Sequence, residues 1–224
     1  VFMIDPHTLK FLTLLRKNNN KPWFDEHKAG YLQAKENFLQ FVGALIEHMC
    51  VFDKSLLQLE PKNCCFRINR DVRFSKDKTP YKNNMAAYIH EAGKKGQGPG
   101  YYFHLQPGKS FLAAGIWMPN ALDLASIRQE IDYNYLPFTK IISNAAFKKE
   151  FPGGLSEEDK LKRPPKGYED SNPAIEVLKN KSFIVTRKLS DKEILNTSLV
   201  KNIPQSFQQA LPFNQFLKMA IGEV

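Results

Sequence analysis

The hydrophobic period of this chain changes at Pro61, and that change dictates a fold in which helices are followed by consecutive strands. Ahead of it, Tyr31, Ala34, Phe38, Phe41, Val42, Leu45, Ile46 and Met49 recur at steps of three and four, the spacing of one apolar helix face. This predicts a long helix over residues 22–50. A shorter helix precedes it: Asp5 is an N-cap acceptor, Pro6 suits the first helical position, and Leu9, Leu12 and Leu15 follow before Asn18-Asn19-Asn20 ends it. Beyond Pro61, Cys64, Phe66, Ile68, Val72 and Phe74 share one parity while Arg67, Asn69, Asp71 and Arg73 share the other, which predicts a strand with arginines on its polar face. Arg70 falls on the apolar parity. Either a bulge near residues 69–71 turns it outward, or it is buried and must be paired.

Three more strands are expected over residues 85–91, 101–106 and 110–118, which are rich in aromatics and alternation. Gln106-Pro107-Gly108-Lys109 carries proline second and glycine third, as a type II turn requires, so the last two form a hairpin. Helical spacing returns over 122–135 and 138–147. A short helix over 175–179, a strand over 182–189 and terminal helices over 191–221, interrupted at Pro204 and Pro212, complete the reading. The expected fold is α+β: a mainly antiparallel β-sheet packed by a long N-terminal helix and C-terminal helices, in a single domain covering residues 1–224.

Charge narrows the function. The chain carries +9 net, yet residues 62–95 alone hold nine cations (Lys62, Arg67, Arg70, Arg73, Lys76, Lys78, Lys82, Lys94, Lys95) against Asp71, Asp77 and Glu91. Three of its seven arginines fall within residues 67–73. Guanidinium binds carboxylate and phosphate bidentately, whereas lysine acts as a hydrated point charge, so the cluster points to a defined anion contact. The candidate ligand set is Arg67, Arg70, Arg73, Lys78 and Tyr81, with Asp71 as orienter or general base. The expected partner is a small molecule bearing phosphate or carboxylate. Against this stand an internal ion-pair ladder in a non-catalytic scaffold or interaction domain, and a solvated basic face. Nucleic-acid binding is a further alternative, raised by a pI of about 9.3 and interleaved Phe, Tyr and Lys. It is not favoured, because no helix-turn-helix, zinc-finger or RNP signature is present and the aromatics sit at core-like parity.

Other chemistries lack their patterns. Gly93 to Gly100, reading GKKGQGPG, has neither the Gly-Lys-Ser/Thr of a P-loop nor the glycine spacing of a dinucleotide fingerprint, and a mobile loop is expected there. Asn69-Arg70-Asp71 occurs without the other kinase motifs, and no Gly-x-Ser-x-Gly elbow exists. His7, His27, His48, His90 and His104 show no His-x-His or His-Glu-x-x-His spacing, so no metal site is expected. His90 and His104 read as polar-face histidines on strands, Trp23 as a core anchor, and Cys64 and Cys65 as filler rather than activated thiols. Residues 161–168 join three cations and a tyrosine around Pro164-Pro165, a candidate functional wall. Three cysteines, two of them adjacent, fit a reduced cytoplasmic protein. No apolar run approaches the roughly 18 residues of a membrane span, and the start of the sequence does not read as a signal peptide.

Arg67-x-x-Arg70-Asp71-x-Arg73-Phe74-x-x-x-Lys78-x-x-Tyr81 resembles the signature of a conserved bacterial hypothetical protein family with fungal relatives, domain of unknown function number 2461. Asn18-Asn19-x-Lys21-x-Trp23-Phe24-x-x-His27-Lys28-x-x-Tyr31 and Leu161-Lys162-Arg163-x-Pro165-Lys166-Gly167-Tyr168 are similar to that family too, so the likeness spans nearly the whole chain. The resemblance implies one intact domain and names no activity, cofactor or substrate.

Overall fold

The computed structural model describes residues 2–73 and 76–222. Its four strands, β1 (Met85–Ile89), β2 (Gly100–Leu105), β3 (Ser110–Ile116) and β4 (Phe183–Leu189), form an antiparallel sheet in sequential order. Helices dominate the remainder, and the fold is α+β. The chain divides into two compact units of interleaved segments. The first comprises Val1–Lys95, Tyr102–Leu112 and Lys188–Gln205, and the second Gly96–Tyr101, Ala113–Arg187 and Ser206–Val224.

In the first unit, α1 (Pro6–Lys17) starts where the Asp5 carboxylate accepts from the His7 amide at 2.7 Å. The long helix expected over 22–50 is two helices, α2 (Lys21–Glu26) and α3 (Lys28–Met49). The break lies at His27 (φ −101°, ψ 19°), where both the backbone N–H and the ring Nδ1 meet the Trp23 carbonyl, at 3.0 and 2.9 Å. The imidazole stacks on the Trp23 indole at 4.1 Å, and this local bond competes with regular helix propagation. The apolar face of α3 lies against β2, with Phe38 and Phe41 packing on Phe103 at 5.8 and 5.7 Å.

The strand expected from Cys64 is absent among the described residues. Cys64 instead closes the single helical turn α4 (Pro61–Cys64). Beyond it only isolated pairings form, Cys65 with Ala87 and Asn69 with Tyr81, supported by Phe66 N–H to the Ala86 carbonyl and Lys82 N–H to the Ile68 carbonyl at 2.9 and 2.8 Å. The reason is local competition. Pro80 accepts from the Arg70 amide but has no N–H to return, and the Asp71 and Asp77 carboxylates capture the amides of Arg73 and Thr79. Burial therefore follows a step of four, Cys64 then Ile68, while Phe66 stays 40% exposed. Phe74, the last residue of the expected alternation, lies outside the described residues.

The hairpin joining β2 to β3 forms as expected, with Gly108 at φ +73° and the Lys109 amide donating to the Gln106 carbonyl at 2.9 Å. The glycine-rich loop before β2 is docked at its start: residues 93–95 make a 3-10 turn, and Lys94 Nζ donates to the Lys62 carbonyl at 3.0 Å.

The second unit holds α5 (Ala121–Tyr133), α6 (Tyr135–Ser143), α7 (Ala145–Glu150) and α8 (Ile175–Leu178). Asn120 and Asn144 cap α5 and α7 by accepting from the amides that follow. Its core is aromatic, Phe147 lying 5.4 Å from Phe151 and 6.0 Å from Phe213. After β4, α9 (Asp191–Ile194) begins in a capping box between Ser190 and Glu193. The last helix, α10 (Leu199–Ala220), runs through Pro204 and Pro212, correcting the expected interruptions. Each proline removes one backbone bond and costs about 3 kcal/mol in a helix interior. Ile203, Phe207, Ala210, Phe213 and Leu217 bury one continuous face, and that burial outweighs the loss.

Candidate functional site

The two N-terminal motifs meet at the backbone of Tyr81. Asn19, in the turn before α2, donates from Nδ2 to the Tyr81 carbonyl at 2.8 Å and accepts from its amide at 3.1 Å, so one side chain substitutes for a neighbouring strand. The Tyr81 ring lies stacked on Phe24 at 3.9 Å and is 6% exposed. Tyr81 is thus a packing residue whose carbonyl also receives Arg70 Nη2 at 3.3 Å.

The remaining candidate residues separate into groups. Arg70, its side chain 24% exposed, pairs with Asp77 at 3.1 Å, so of the two outcomes open to it the chain adopts pairing, with the side chain half-buried. Its Nε is buried and has no hydrogen-bond partner among the described residues. Asp71 takes Arg73 in a two-pronged contact, Nε at 3.0 Å and Nη2 at 2.7 Å, and these bonds hold its carboxyl below the usual carboxylate range. Lys78 turns back to donate to the Val72 carbonyl at 2.9 Å. Arg67 is exposed, with Asp71 and Lys82 inside its electrostatic reach.

Lys82 joins this set, although only its place in the basic segment hints at it in the sequence. Burial first, then the charges of Arg67 and Arg70, lower its pKa. Its ammonium lies 5.5 Å from the centre of the Phe66 ring, a cation–π contact. Phe66 in turn adjoins Tyr102, which with His104 and Phe111 makes an aromatic wall on the face of the β2–β3 hairpin away from α3. A line of hydrogen bonds fixes this wall. Tyr102 Oη meets His104 Nδ1 at 3.0 Å, His104 Nε2 meets Gln106 Oε1 at 3.0 Å, and Gln106 Nε2 donates to Asn83 Oδ1 at 3.4 Å. Because Gln106 Oε1 can only accept, the chain is satisfied by the Nε2–H tautomer of His104, with Tyr102 donating to Nδ1.

Burial pushes Tyr102 up to about 12 and lowers His104 below 6.5, the bond to Gln106 opposing the second shift. A histidine depressed in the folded state contributes stability that is complete above its unfolded value and is lost as pH falls below it. Acidifying from about pH 7 to about pH 5 is therefore expected to lower the urea midpoint. The decrease should be smaller in His104→Gln, and an unchanged midpoint difference in that variant would remove His104 from the acid response.

A family model described as a conserved hypothetical protein (DUF2461) matches residues 7–216. The chain belongs to this family. No curated protein and no solved structure matches it. In this DUF2461 protein the segment 161–168 lies in the second unit, tied down by the Leu161 amide to the Lys179 carbonyl at 2.8 Å. Burial raises the Tyr168 phenol, with Asp132 adding to the shift and Arg128 opposing it. Burial also pushes the Cys64 and Cys65 thiols up to about 12, the opposite of activation. Among the described residues of this family member, no three His, Cys, Asp or Glu side chains group as metal ligands, and no helix is long and apolar enough to cross a membrane.

Proposed function

We propose that this DUF2461 protein binds a small molecule bearing phosphate or carboxylate, with Arg67, Arg70 and Lys82 as the contacting cations and the Asp71–Arg73 pair beside them. Lys78 and Tyr81 shape the segment from behind, through the Val72 carbonyl and the Phe24 stack. The observation that carries the reading is Lys82, a half-buried ammonium 5.5 Å from the centre of the Phe66 ring, whose pKa is lowered first by burial and then by the charges of Arg67 and Arg70. Like charges drawn together and desolvated destabilise a fold, and functional sites retain such arrangements for an opposite charge that arrives with the ligand. The buried Arg70 Nε–H adds a donor directed at no acceptor among the described residues.

The test is thermal. Phosphate at about 10 mM should raise the Tm of the parent by ligand linkage. Arg67→Met and Lys82→Met should lose that rise while their Tm without phosphate stays at or above the parent's, since each removes one of the mutually repelling cations. Variants that melt lower and keep the full phosphate response would mark the cluster as structural. Duplex or single-strand binding below about 1 μM at physiological salt would replace the small-molecule reading with the nucleic-acid one.

A further inference from the structure

The basic trio does not stand alone on its surface. Lys82 lies over Phe66, Phe66 adjoins Tyr102 at 6.4 Å, Tyr102 lies 5.6 Å from Phe111, and Phe111 stacks on His104 at 4.7 Å, so one cation and four aromatic rings form a continuous strip within the first unit. Phe66 is 40% exposed and the other three rings are half-buried, which is unusual for four adjacent rings in a chain whose remaining phenylalanines mostly fill the core. The polar atoms of the wall are satisfied among themselves through Tyr102, His104, Gln106 and Asn83. The Tyr102 and His104 rings are therefore held in place before any ligand arrives, which lowers the ordering cost of binding.

Resting on the anion-binding reading above, we infer that the ligand is a planar aromatic ring carrying the phosphate or carboxylate, its anion on Arg67, Arg70 and Lys82 and its ring against Phe66 and Tyr102. Cations alone would accept any small anion. Adjoining rings select for a flat apolar group joined to the charge, because stacking and charge pairing then act on one molecule and share one loss of translational freedom.

Calorimetric titration of the full chain with matched probes tests this: inorganic phosphate against adenosine monophosphate, acetate against benzoate, and uncharged adenosine. Stacking of this kind gives roughly tenfold or more per ring, so at least one ring-bearing anion should bind about ten times tighter than its ring-free counterpart. Adenosine should bind more weakly than either anion that carries a ring. Phe66→Leu, which keeps an apolar side chain at an already exposed position, should erase the ring's advantage, bringing each ring-bearing anion to the affinity of its ring-free counterpart in the same variant. Whichever matched pair shows the advantage identifies phosphate or carboxylate as the recognised anion. If phosphate and acetate bind but the ring adds nothing in either pair, or if adenosine binds as tightly as adenosine monophosphate, the inference is overturned while the anion site stands. If no anion binds, the anion-binding reading itself fails.

Discussion

Gly115→Ala is expected to be the most damaging single substitution in the second unit. Gly115 lies in β3 at φ +114°, a region that residues with a Cβ rarely enter, and a Cβ there would stand 2.0 Å from the Phe183 carbonyl oxygen and 2.9 Å from Phe213 Cε1. The first contact is with backbone of the adjacent strand, so no rotamer change relieves it. β3 and β4 would have to separate, while Phe183 and Phe213 are both fully buried. A loss of more than about 4 kcal/mol is expected, a large share of the roughly 5–15 kcal/mol that holds a domain together. The variant should accumulate in the insoluble fraction or melt far below the parent. A soluble variant melting within about 5 °C of the parent would refute the close approach of the two strands.

Local signals were the legible part of the fold. Asp5-Pro6 marks the start of α1 because cap chemistry involves only neighbouring residues, and Pro107-Gly108 marks its turn for the same reason. Strand β2 was legible because its alternation matches the pleat, with Tyr101, Phe103 and Leu105 buried and Tyr102 and His104 half-buried. Where local rules conflicted with distant partners, the reading failed. Pro204 and Pro212 break a helix by local rules, but the buried face of α10 is a tertiary fact. Residues 64–73 alternate like a strand, yet a ladder needs a partner with amides to offer, and Pro80 offers none.

The candidate site divides along the same line. Arg67, Arg70, Asp71 and Arg73 stand out in the sequence because they are close together along it. Lys82 comes under the charges of Arg67 and Arg70 where the chain doubles back and Asn69 pairs with Tyr81, and neither residue announces that pairing. The same pairing explains Tyr81, whose place in the motif suits a ligand contact but whose ring is taken by Phe24 and whose backbone is taken by Asn19. Tyr102 and His104 lie on one face of β2, as their spacing of two requires, and Gln106 bonds to His104 just past the strand's end. Their convergence on Phe66 and Asn83 depends on which segment borders the hairpin, information that resides in the sheet rather than in any short stretch of sequence.

Phe103 connects the core to this site, and Phe103→Ala is the substitution expected to cost most in the first unit. Its ring is inaccessible to solvent and packs on both Phe38 and Phe41 of α3, and truncating a phenylalanine in such a position costs about 3–5 kcal/mol through lost burial and the cavity left behind. Phe103→Leu should cost less than half of that, since it keeps most of the volume. Because Tyr101, Phe103 and Leu105 face the core while Tyr102 and His104 face the other way, the damage is confined to one side of β2. Urea denaturation should therefore show a large drop in midpoint for Phe103→Ala, and the fraction that remains folded should keep the phosphate-dependent rise in Tm. A drop worth under about 1.5 kcal/mol would mean that α3 is not packed on β2 as described. A folded Phe103→Ala protein that had lost its phosphate response would mean that the core and the anion site are not separable faces of one strand.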